Sequence, residues 1–204
     1  MKILFFTPYS SIWQHAFPEA LAAEALQQGG HEVSYITCGS MFKEICISMR
    51  SQGLSLDTPL SIRQQVCESC KENKELIKAQ FGLNGFDIAD HLSEEEVALV
   101  EEEIAKISPD NYYEYHYNGI PLGRLATYET MLQFKKNDLS MHELKEWHSY
   151  IAWFRNAFYV ACAAPKILDT IQPDRVIIYS NSYSSNNVFN FCAKERGIAS
   201  YSMT

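Results

Sequence analysis

Four cysteines gather in the first part of the chain: Cys38, Cys46, and the Cys67 and Cys70 of a C-x-x-C. Four thiolates can close a tetrahedral shell around one Zn²⁺, and an iron–sulfur cluster uses the same ligands. A C-x-x-C also suits a thiol–disulfide couple, but that use favours a strand-to-helix turn, and no strand-like run precedes Cys67. The plain alternative is that Cys38 and Cys46 are small buried hydrophobes and the C-x-x-C is incidental. A structural zinc on Cys38, Cys46, Cys67 and Cys70 is the expectation carried forward. It would hold residues 48–65, which have little apolar periodicity of their own. Cys162 and Cys192 fall on apolar helix faces and read as core.

Two further groups are candidates for chemistry. His15 follows Trp13 shortly after the first apolar run, and an imidazole titrates near neutrality, as a general base must. The alternative is a histidine hydrogen-bonded in a loop for structural reasons. Tyr179 to Asn187 is a dense polar segment in which Asn181, Tyr183, Ser185 and Asn186 offer amides, hydroxyls and a flat ring to sugar hydroxyls and sugar faces. Serine and asparagine also favour helix N-caps, so both uses stand together. The alternating Tyr112–Tyr117 run reads as an edge strand or a loop at a cleft, and Arg124 as the start of a helix.

These side chains need a scaffold. Residues 3–7 form an apolar run of strand length, residues 17–28 a helix with Pro18 in its first turn, and residues 33–37 a second strand after Gly29-Gly30. That is a βαβ unit with a parallel pair and a right-handed crossover. The far end repeats it: a strand at 175–179, a helix at 187–196 closed by Gly197, and a strand at 198–203. Between them lies a largely helical insertion, about residues 71–170. Capping boxes are expected at Ser93/Glu96 and Ser140/Glu143, and a kink or restart at Pro165. The fold class is therefore α/β, a parallel sheet flanked by helices. Ligands of such sheets sit at the carboxyl ends of the strands, where residues 8–17 and 180–185 must lie.

Composition narrows the partners. A formal net charge of −8 over 204 residues argues against a nucleic-acid surface, which needs clustered Lys and Arg. With 47% hydrophobic residues there is material for a core. No apolar run approaches the roughly 20 residues of a membrane span, and the opening run is too short for a signal peptide. A cytoplasmic protein, free or at the inner face of the membrane, is expected. There is no G-x-G-x-x-G and no Walker lysine, so dinucleotide and P-loop readings fail.

Met1-Lys2-Ile3-Leu4-Phe5, His15-Ala16-Phe17-Pro18, Leu21-Ala22 and Gly30-His31-Glu32-Val33 resemble the opening of glycosyltransferases of the GT-B type. Their UDP-glycosyltransferase branch shows the same H-x-x-P entry to the first helix and G-H-E-V entry to the second strand. Pro173-Asp174-Arg175-Val176-Ile177-Ile178 followed by Gly197-Ile198 is similar to the close of such N-terminal domains. The sequence departs from the pattern at Ala199, at Tyr179-Ser180 and at Ile12-Trp13-Gln14. Phe81-Gly82-Leu83, Gly123-Arg124 and Tyr179-Ser180-Asn181 look like proteins of bacterial capsule and surface-polysaccharide synthesis.

The resemblance implies one Rossmann-like, acceptor-side domain over residues 1–204, with a Cys-rich segment at 38–70 and a nucleotide-sugar domain beyond Thr204. It implies His15 as the base that deprotonates a glycan acceptor, and a chain inactive without its partner domain. The rival from another class is a non-catalytic, zinc-stapled α/β module that binds a carbohydrate or a protein. A thiol-redox protein is a third reading.

Overall fold

The computed structural model describes residues 1–203. Five parallel strands, β1 (Lys2–Phe6), β2 (Glu32–Thr37), β3 (Asn84–Asp87), β4 (Arg175–Ile178) and β5 (Ala199–Ser202), stand in the order β3-β2-β1-β4-β5. The chain builds outward from β1 to β3, then returns to the other side of β1 for β4 and β5. This is the doubly wound, Rossmann-like arrangement expected of strands that alternate with helices. Ile3 pairs with Val33 on one side and Arg175 on the other, so β1 is central.

Strand alternation divides the core. Ile3, Phe5, Val33 and Tyr35 face α1 (Trp13–Gln28) and α3 (Leu60–Phe81). Leu4, Phe6, Ile36, Val176 and Ile178 face the opposite layer, formed mainly by α7 (Leu144–Ile171) and α8 (Ser184–Glu195). Phe6 stacks on Phe189 of α8 with ring centroids 4.3 Å apart. Burial of rings this size stabilises by about 1.5–3 kcal/mol each. The remaining helices are short: α2 (Ile47–Ser51), α4 (Glu94–Ile104), α5 (Leu122–Leu125) and α6 (Tyr128–Phe134).

Several local expectations are corrected. Helix α1 begins at Trp13, four residues before Phe17, because the His15 and Ala16 amides both reach the Ile12 carbonyl at 2.9 Å while Ile12 and Ala16 are buried. Pro18 is thus inside the helix, exposed, and His15 stands in the first helical turn instead of a loop. The Ser93/Glu96 box forms in both directions. The Ser140/Glu143 box does not: the Ser140 amide donates to the Glu146 carboxylate at 2.7 Å, and Glu146 also pairs with Lys136. Pro165 does not interrupt α7, which runs unbroken for 28 residues and carries the largest number of buried side chains of any described helix. Tyr112–Glu114 is a 3-10 turn, with an isolated bridge from Tyr117 to Ile120 and no strand. The strand β3, Asn-Gly-Phe-Asp, has almost no β-favouring residues and was not foreseen.

Candidate functional site

β1 and β4 are neighbours, but α1 leaves β1 toward one face of the sheet and α8 leaves β4 toward the other. The connections diverge at the carboxyl ends of the two strands, and the crevice opens there. It holds a cavity of about 320 Å³, within the range of small-molecule sites. Ile12 and His15 contribute from the start of α1 and Tyr183 from the start of α8. The helical insertion closes it with Glu129 and Gln133 of α6 and Trp153 of α7, and α2 adds Arg50.

The His15 ring lies on the Tyr179 ring with centroids 3.5 Å apart, and its Nδ1 is buried with no hydrogen-bond partner. Burial lowers its pKa, which keeps the ring neutral and a lone pair free near pH 7. Tyr179 stacks in turn on Tyr183, whose ring meets the edges of Tyr9 and Tyr128. The crevice therefore has one aromatic wall.

Glu129 is the second titratable group. One carboxyl oxygen, Oε1, accepts the backbone N–H and the hydroxyl of Ser184, each at 2.8 Å. It thus caps α8 from outside, where the N-cap residue Tyr183 provides no side-chain bond. The other oxygen, Oε2, is buried without a partner. Burial pushes the carboxyl up to about 7, against the bonds from Ser184 that pull it down. A neutral imidazole and a carboxyl titrating near neutrality in one cavity have the properties proton transfer needs. Trp153 also lines the cavity, and its indole Nε1 has no partner.

Other expected site residues scatter. Trp13 is 43% exposed, stacked on Phe17, and does not line the cavity. Asn181 is exposed on the loop. Ser185 and Asn186 lie in the first turn of α8 and are buried, Asn186 leaving both amide atoms unpartnered. Of the five expected contacts Trp13, Asn181, Tyr183, Ser185 and Asn186, Tyr183 alone lines the cavity.

Glu129, Arg50 and Trp153 were missed by sequence reasoning. Each is a lone residue in an unremarkable helical stretch, and no spacing ties any of them to His15.

The four cysteines are neighbours but not a shell. Cys38 ends the β2 connection, Cys46 is the N-cap of α2, and Cys67 and Cys70 lie on α3. Burial raises the Cys46 thiol, and Cys38, Cys70 and Cys67 each raise it further, which places all four within electrostatic reach. The Cys70 thiol meets the Ser48 hydroxyl at 3.6 Å. Among the described residues no three His, Cys, Asp or Glu side chains converge closely enough to share a metal ion. Cys162 and Cys192 are buried, as expected. No helix among the described residues is long and apolar enough to cross a membrane. No protein-family model matches the chain, and no curated protein matches its sequence.

Proposed function

We propose that this chain is the acceptor-binding half of a glycosyltransferase that moves a sugar from a nucleotide-sugar to a glycan acceptor, such as a bacterial surface polysaccharide. The observation that carries the reading is the neutral, unpartnered His15 imidazole in the cavity between the β1 and β4 connections. In the proposed step the acceptor oxygen attacks the anomeric carbon, His15 takes the hydroxyl proton, and the nucleoside diphosphate leaves with the electron pair of the broken C–O bond. The nucleotide-sugar itself is held mainly by a second domain. His15→Ala in the full gene product should lower transfer by 100-fold or more, with the melting temperature changed by only a few degrees. Undiminished transfer, or a variant that does not fold, would overturn the role.

A second reading is the non-catalytic binding module stapled by zinc at Cys38, Cys46, Cys67 and Cys70. The placing of Cys38 just after β2, Cys46 at the start of α2, and Cys70 on α3 within 3.6 Å of the Ser48 hydroxyl, two residues from Cys46, supports it. Metal analysis of protein purified without chelator tests it. One zinc per chain would favour the staple, and four freely titrating thiols without zinc would remove it.

A further inference from the structure

Arg50, at the last turn of α2, is the one permanently cationic side chain among the described residues that line the cavity. Its Nη1 donates to the Leu54 carbonyl at 3.0 Å, and it forms no ion pair among the described residues. Arg155 and Arg196 are each neutralised by carboxylates at 2.6–2.7 Å, whereas Arg50, like Arg63, Arg124 and Arg175, pairs with none among the described residues, and of these four only Arg50 lines the cavity. A guanidinium has five donors in a planar fork that matches a carboxylate or a phosphate. In a chain with 25 acidic and 17 basic residues, an arginine left without a carboxylate at a cavity wall is a site for an anion from outside.

Glu129 sets a second condition. It is 3% exposed, lines the same cavity, and its Oε2 lacks a partner. A carboxyl oxygen there accepts from a hydroxyl and repels a second anion, so the ligand's charge belongs at Arg50 and its hydroxyl at Glu129. In the same lining Ile12, Trp153 and Tyr183 present apolar and aromatic surface that the C–H faces of a sugar ring can cover.

We propose that this cavity takes a saccharide carrying an anionic substituent, a carboxylate or a phosphate, held by Arg50 while Glu129 receives a hydrogen bond from one of its hydroxyls. The inference rests on the reading of the cavity as the acceptor site and names the class of acceptor.

Ligand-observed NMR titrations of the chain with methyl β-glucuronide, glucose 6-phosphate, methyl β-glucoside and inorganic phosphate test it. The glucuronide or the sugar phosphate should bind at least tenfold more tightly than the neutral glucoside, and whichever binds better identifies the substituent. Arg50→Gln should abolish that preference while leaving the glucoside unchanged, and Arg50→Lys should restore part of it. Glu129→Gln should weaken the saccharides but not inorganic phosphate. Equal binding of neutral and anionic sugars would overturn the inference and leave the acceptor reading standing. Inorganic phosphate binding as well as glucose 6-phosphate would reduce the site to a simple anion hole. Failure of every saccharide to bind would remove both readings together.

Discussion

Glu129 carries a cost that pH exposes. Its carboxyl is held up to about 7 in the fold against an ordinary 4.5, so the folded state binds its proton more tightly than the unfolded chain. The stability from that protonated group is complete below pH 4.5 and is lost as pH rises through 7. The gap corresponds to on the order of 3 kcal/mol. Denaturant unfolding at pH 5 and pH 8 should show this loss in the native sequence. In Glu129→Gln the loss should be largely absent, because the amide keeps an acceptor for Ser184 and never ionises. Parallel pH profiles for the two proteins would contradict the assignment. His15 acts in the opposite sense: burial lowers its pKa, so its contribution is lost as pH falls through the ordinary histidine range near 6.5.

Strand β3 shows how a close backbone approach replaces propensity. Gly85 pairs with Tyr35, and a Cβ at Gly85 would stand 1.6 Å from the Tyr35 carbonyl oxygen. No side-chain rotation relieves a clash with backbone, so Gly85→Ala must push β3 off β2. A loss of about 2 kcal/mol or more is expected, roughly 4–8 °C in melting temperature. An unchanged melting temperature would show that this strand is not packed as described. The flanking βαβ units were legible because apolar runs, paired glycines and helix stripes agree there. β3 was not, because only its pairing with β2 makes it a strand while its sequence reads as loop. The start of α1 was misplaced for a similar reason: Pro18 signals a first turn locally, but burial of Ile12 and Ala16 extends the helix backward past it. That correction moves His15 onto a rigid element, which positions an imidazole more tightly than a loop does.

Across the whole molecule, the parallel α/β class and the placing of the ligand loops at the carboxyl ends of the strands followed from strand and helix order, while the order β3-β2-β1-β4-β5 did not, because β3 was not legible. His15 and Tyr183 were found on that ground. Glu129, Trp153 and Arg50 were not, because the insertion that carries the first two returns to the sheet only through tertiary packing of α6 and α7. Everything proposed for this molecule rests on saccharide binding in this crevice. The most direct test is a ¹H–¹⁵N titration of the chain with methyl β-glucuronide, following the indole signals of its three tryptophans. Trp153 lines the cavity while Trp13 lies outside it, and Trp153→Phe assigns the signal. The Trp153 resonance should move saturably while that of Trp13 stays fixed. A Trp153 signal unmoved at millimolar glycoside, or a shift confined to Trp13, would contradict the claim.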